Sequence, residues 1–402
     1  MIISDEFVDS RHGHRPFDVA FVDHIELDVE LVYSWAKVNL GRAWVTFLID
    51  SYSRRILATY LTFDPPSYRS CMMVMRVCVR RYERLPSTVI VQKGKEFRNI
   101  DFDKFLKTYY CRKQTIFETK PRFGWVCERL LGSANAMLIC NIQENTQVNN
   151  NANVITQSIK SQNLAVWTLK DLYQNLCRWA YEFYDKKEHP ILRLSPYEAF
   201  SEGLSRRGSD NHKKIAFDED FRISTLPTIK RGMARVRPSL GVKINNIYYW
   251  HNSFQHPEVE GTELVVRYDP YDMGTAYAYI NKYWVSCISQ YYTTFVGHSE
   301  KEMMQVVEQL RKQHDKNNSK RFVVTASSLF NYLNQEEIDE QVVLQRIRGM
   351  EERFLLSEID FGNVQEYRQE TEEVFVFYAN IERVMPQRGD ESEEIKPYDE
   401  FW

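Results

Sequence analysis

A chain of 402 residues that is 43% hydrophobic and 14% aromatic is long enough for two or three domains and apolar enough to fill their cores, which excludes wholesale disorder. It has no run of eighteen apolar residues, so a membrane-spanning helix is excluded. The start, Met1-Ile2-Ile3-Ser4-Asp5-Glu6, lacks the basic-then-apolar order of a secretory signal. The net charge of −3 divides unevenly, because residues 336–402 hold 19 acids and 7 bases and leave +9 on residues 1–335. A basic body suits a polyanionic partner or, equally well, a mildly basic soluble surface. An acidic end suits a protein partner or a solvated terminus. The seven cysteines include no CxxC pair, so reduced thiols in a cytosolic protein fit best and no zinc site is readable.

Residues 1–16 are polar and read as a leader. Val19 to Val32 is strand-like, with Phe21 and Val22 beside Asp23 pointing to a central, two-side-buried position. Trp44 to Asp50 and Ile56 to Phe63 add two strands with the alternation of an antiparallel meander, stopped by Pro65-Pro66. Ser67 to Leu85 is a helix with an apolar face (Met72, Met75, Cys78) and a basic one (Arg76, Arg80, Arg84). Thr88 to Val91 is a β-branched strand that runs into the glycine loop Gln92-Lys93-Gly94. A short helix from Phe102 to Tyr110, a strand from Gln114 to Thr119 and a helix carrying Glu128 follow. The resulting order, β-β-β-α-β-α-β-α, predicts a mixed sheet with helices on its faces.

Residues 144–165 are rich in Asn, Gln and Ser and read as a loop. Thr168-Leu169-Lys170-Asp171 caps a helix running to about Lys187, and the polar residues 203–220 read as a linker. Between 221 and 297 five short strands at regular spacing (232–236, 242–250, 263–268, 276–280 and 283–288) predict a small β-barrel. Tyr248-Tyr249-Trp250 reads as barrel core more readily than as a base-stacking platform. A helix spans 298–315. One or two amphipathic helices and an acidic, disordered end from Asp390 to Trp402 complete the chain.

Paired acids on a sheet edge can hold two divalent ions for phosphoryl transfer, and Asp23 and Glu128 are placed for this. Taken singly each is weak, since Asp23 could be a salt-bridged strand acid and Glu128-Arg129 a solvated helix pair. His24 reads as a packed strand residue.

The combination is more specific. Asp23 in Val-Asp-His, Leu48-Ile49-Asp50-Ser51-Tyr52-Ser53-Arg54, Gly94-Lys95-Glu96-Phe97, Gly124 through Arg129 with Gly132, and His189-Pro190 with Ser195-Pro196-Tyr197-Glu198-Ala199 occur in that order. Thirty-five residues separate Gln92 from Glu128. In these motifs the stretch from Phe17 to Phe200 resembles the catalytic domain of the retroviral-integrase (DDE) superfamily of transposases. Val265 to Pro270 lies in a segment that resembles the small barrel of Mu-type transposases. TnsB-like transposases look nearest.

The resemblance implies an RNase H-like α/β core, a mixed five-stranded sheet with helices, over 17–202. It implies a linker at 203–220, an all-β barrel at 221–297 and a helical, acidic tail at 298–402 that could dock a partner. It further implies 3′-end cleavage and strand transfer with Mg2+ or Mn2+ held by Asp23, Glu128 and a second acid, with Asp50 structural. DNA (transposon ends and target) is the implied partner, together with an AAA+ regulator or an endonuclease subunit. Assembly as an oligomer on DNA in the bacterial cytosol is expected. Lys93, Lys95, Arg98, Lys120, Arg122 and Arg129 would ring the site and hold phosphates.

Gln92 departs from this pattern, for it occupies the second-acid position and offers one neutral carbonyl oxygen. Impaired catalysis and weakened metal binding follow, unless Glu96, Asp101 or Asp50 substitutes. The alternative is an inactive paralogue that binds DNA or a partner as a structural subunit. TnsB-like enzymes carry DNA-reading domains before the core, whereas only about 16 residues precede it here, so either the sequence is a piece of a longer protein or the protein lacks its own end-recognition module.

Overall fold

The computed structural model describes residues 13–36, 38–94, 97–116, 167–190, 192–205, 213–317, 323–335 and 338–361. The first sheet holds β1 (Val19–Val32), β2 (Asn39–Asp50), β3 (Ile56–Thr62), β4 (Thr88–Gln92) and β5 (Arg112–Ile116) in the order β3-β2-β1-β4-β5. β1 runs antiparallel to β2 and parallel to β4, and β4 is parallel to β5, so the sheet is mixed as expected. Every residue of β3 is buried, as are Thr88 to Val91. Such continuous apolar runs are what a strand covered on both faces requires.

Helix α1 (Tyr68–Tyr82) starts where Pro65-Pro66 ends β3. Ser67 and Ser70 cap it reciprocally, and Glu83 closes it in the left-handed conformation. Helix α2 (Ile100–Thr108) is capped by the side chain of Asn99, which accepts from the Asp101 and Phe102 N–H groups. β5 begins two residues earlier than the sequence suggests. The helix carrying Glu128 falls in 117–166, outside the described residues. Helix α3 (Leu169–Arg178) is capped by Thr168 and Asp171 as expected. It then loosens into a π-turn (Trp179–Phe183) and a 3-10 turn (Tyr184–Lys186). Helix α4 (Pro196–Ser205) follows. Asp185 is buried there against the Arg55 guanidinium, 2.8 Å away.

In the stretch read as a linker, Ile215 N–H donates to Glu83 O, and helix α5 (Glu219–Ser224) packs Phe221 against Phe105 and Tyr109. The second sheet has the order β6-β9-β10-β11-β8-β7, a nearly closed six-stranded barrel. Its strands are β6 (Met233–Arg235), β7 (Val242–Ile244), β8 (Ile247–Trp250), β9 (Glu263–Asp269), β10 (Asp272–Ile280) and β11 (Tyr283–Ser289). The run 242–250, expected as one strand, is a hairpin. Asn245 at φ 54 turns the chain within it, a conformation asparagine tolerates better than most residues. Tyr249 is fully buried and donates to Met273 O, Trp250 is half-buried and packs against the barrel core beside Phe254, and Tyr248 is half-buried beside Arg237. Gly241 sits at φ +80, and a β-carbon there would lie 2.1 Å from Tyr249 O, so only glycine fits.

Residues 298–361, expected as the helical start of a tail, form helices α6 (Glu300–Asn317), α7 (Ala326–Leu333) and α8 (Glu340–Phe361). Met303, Val306, Leu329, Tyr332 and Val342 belong to the barrel's apolar core. α8 also reaches the first sheet. Glu352 accepts from Thr62 Oγ1 (2.5 Å) and Phe63 N–H (2.7 Å), and Arg348 donates to Leu40 O. Asp360 pairs with Arg76 in a buried ion pair. On the barrel side Arg346 meets Glu302 at 2.5 Å.

Candidate active site

Asp23 lies midway along β1, opposite Phe47 of β2. The parallel register pairs Phe21 with Ile90, and two residues farther along each strand it brings Asp23 level with Gln92, the last residue of β4. The two side chains meet: Gln92 Nε2 donates to Asp23 Oδ1 at 3.1 Å, and His24 N–H donates to the same oxygen at 2.9 Å. The first acid and the residue in the second-acid position are thus neighbours, and the contact between them is a donor facing a carboxylate.

His24 is neutral packing. Burial pulls its pKa down to about 4, its Nδ1 lies 2.8 Å from Thr46 Oγ1, and its ring stacks on Phe97 with centroids 5.2 Å apart. Phe97 thereby ties the segment after β4 back to β1. Sequence reasoning assigned Phe97 no role. Its position after the glycine loop was the available signal, but a stack of that loop's Phe97 onto His24 of β1 is a tertiary fact.

Of the acids considered as surrogates, the two described ones, Asp50 and Asp101, do not join Asp23. Asp50 is fully buried and structural, as expected. Its carboxylate accepts from Phe17 N–H, Ser53 N–H and Ser53 Oγ within 2.8 Å, and burial pushes its pKa up. Asp101 sits in the first turn of α2, and its field acts on Arg267 of the barrel. Glu96 lies outside the described residues, as do Glu128, Lys95, Lys120, Arg122 and Arg129. Lys93 and Arg98 are both exposed and flank the segment that carries Phe97.

Among the described residues no group of three or more His, Cys, Asp or Glu side chains could hold a metal ion. The Asp23–Gln92 pair supplies one carboxylate and one neutral amide, whose N–H points at Asp23 Oδ1. That donor set does not fit two bridging dications, which require shared anionic oxygens.

Residues 21–143 match the TnsB C-terminal domain family, and residues 223–285 match the Mu transposase C-terminal family. The transposase for transposon Tn552 of Staphylococcus aureus is 22% identical over 280 residues, 67% of this chain and 52% of the relative. The chain therefore spans about half the length of that curated relative. Among solved structures, the catalytic core domain of BIV integrase aligns at 14% identity and a TM-score of 0.28, covering 46% of this chain and 94% of that one. The HTLV-2 integrase catalytic core domain in complex with magnesium aligns at 10% identity and a TM-score of 0.30, covering 47% and 99%. In these two segments the chain is a relative of the TnsB/Mu-type transposases of the integrase superfamily, as its motifs implied.

Proposed function

We propose that this protein serves DNA transposition as a transposase-type subunit with an RNase H-like core whose cutting and joining chemistry is impaired. The observation that carries this reading is the bond from Gln92 Nε2 to Asp23 Oδ1. In the related enzymes a second carboxylate is expected at that position. An amide there neither bridges metal ions nor leaves the first acid's oxygen open. Magnesium or manganese, if held, would rest on Asp23 and Glu128 and would supply the charge stabilisation of phosphoryl transfer. Lys93, Lys95, Arg98, Lys120, Arg122 and Arg129 are proposed to hold DNA phosphates around this point. The protein then contributes by holding DNA within a cytosolic oligomer and by contacting other transposition proteins, an AAA+ regulator or an endonuclease subunit among them.

Strand transfer of pre-processed ends tests this, with the parent compared against Gln92→Asp. The reading expects a parent at least about a thousandfold slower than Gln92→Asp, in line with the rate lost when one electrostatic group of such a site is removed. Parent activity equal to that of Gln92→Asp and abolished by Glu128→Ala would sink it, because another acid would then be supplying the missing oxygen.

A further inference from the structure

The end of the first sheet remote from Gln92 carries a second set of cations. α2 ends at Thr108 and the chain reverses into β5. Cys111 N–H donates to Leu106 O at 2.8 Å and Tyr110 N–H to Lys107 O at 3.2 Å, closing the helix in the manner of a Schellman turn. The left-handed position of such a turn favours glycine, yet Tyr110 occupies it at φ 59. A side chain there costs roughly 1 kcal/mol. Burial does not offset that cost, because Tyr110 is 73% exposed.

Beside the ring opens a cleft of about 510 Å³ lined by Asp103, Lys107, Tyr110, Arg112 and Lys113. Lys213 Nζ lies 4.9 Å from the Tyr110 ring centroid. Lys107, Arg112 and Lys213 are exposed, while Lys113 pairs with Asp103, the acid of the cleft wall. Four cations thus face one acid. The β4–β5 register pairs Thr88 with Arg112 and Gln92 with Ile116. Arg112 accordingly sits four residues, roughly 13 Å, from the level of Gln92.

We propose that this cleft is a second surface for duplex DNA, separate from the Asp23–Gln92 point. Lys107, Arg112 and Lys213 take phosphates, and the Tyr110 ring packs on the sugar edge between them. Separated, exposed cations around one exposed aromatic, without an ion-pair partner among the described residues, match a backbone whose charges repeat at fixed intervals. The inference rests on the reading of the protein as a DNA-holding subunit and adds a second point of grip to it.

The test uses the 402-residue chain and a 30-base-pair duplex of arbitrary sequence, with affinity followed by fluorescence anisotropy over a range of salt. Replacing Lys107, Arg112 and Lys213 together by Ala should lower the slope of log K against log salt by about 2 to 3, since each lost phosphate contact removes about 0.9. Tyr110→Gly suits the turn better and should melt no lower than the parent, yet it should bind duplex severalfold more weakly with an unchanged slope. If the parent binds duplex and the triple variant keeps the parent slope, the cleft is not a DNA surface, although the DNA reading stands. A parent that fails to bind duplex at all overturns both. If the triple variant keeps duplex binding but loses polyglutamate binding, the cleft serves an acidic protein and the proposal falls.

Discussion

Asp23 and Gln92 meet as acceptor and donor, and one oxygen of the Asp23 carboxylate holds two N–H partners. Gln92→Asp would set two carboxylates within hydrogen-bond reach and make the site unstable until a cation enters. We expect the parent's melting temperature to be indifferent to millimolar Mn2+. Gln92→Asp should melt lower without metal and regain about 2 to 3 kcal/mol when the ion is about a hundredfold above its dissociation constant. Equal metal responses in parent and variant would count against the role given to Gln92. Asp269, at the end of β9, offers a pH handle away from this site. Burial is the main cause that pushes its pKa up to about 6, and the Tyr271 N–H and the Arg76 charge oppose the shift. The folded pKa lies above the unfolded one, so the associated stability is complete below about pH 4 and lost as pH rises through 6. The carboxylate is half-buried, so the effect is on the order of 1 to 3 kcal/mol. Asp269→Asn should flatten stability between pH 4 and 6 and raise it at pH 7, as urea melts at several pH values would register.

At the level of elements, β1, β3 and β4 were readable because β-branched and aromatic runs between prolines and polar turns allow little else. The capping box at Thr168 marked a helix start correctly, and the helix read from Ser67 begins with that residue as its cap. The 242–250 hairpin was not readable, because Asn245-Asn246 interrupts an apolar run without a glycine. Nor was the role of α8, whose Arg346, Glu351 and Glu352 look like surface charge until their partners arrive from elsewhere in the chain: Glu302 of α6, Ser34 just past β1 and Thr62 of β3. At the site, Asp23 and Gln92 were legible from motif spacing, whereas the His24–Phe97 stack and the charges facing Asp101 depend on tertiary packing. The buried pair between Arg76 and Asp360 makes a prediction at this scale. Asp360→Ala leaves a buried guanidinium uncompensated and should cost about 3 to 5 kcal/mol in a denaturant melt, while Arg76→Met with Asp360→Leu should recover most of that loss. A double variant no more stable than the single would show that the helix packing, not the stranded charge, is at stake.

In the whole molecule, the body up to Asp360 forms one compact unit in which α8 meets the first sheet through Glu352 and the second through Arg353, 3.6 Å from Asp272 of β10. Gly241 tests the barrel's share of that unit. Gly241→Ala forces a β-carbon against Tyr249 O, and a loss of about 2 kcal/mol or more in urea stability is expected. A loss below about 0.5 kcal/mol would mean that the turn relaxes freely. The acceptor that satisfies Thr62 and Phe63 is Glu352, 290 residues farther along the chain. On the ribosome, therefore, the edge of the first sheet emerges long before its covering helix is made. With synthesis at about 5 to 20 residues per second, that edge waits on the order of 15 to 60 seconds with β3 unclosed. Such a nascent chain is a natural client for chaperones, and the making of α8 is the step that commits the body up to Asp360 to its final form.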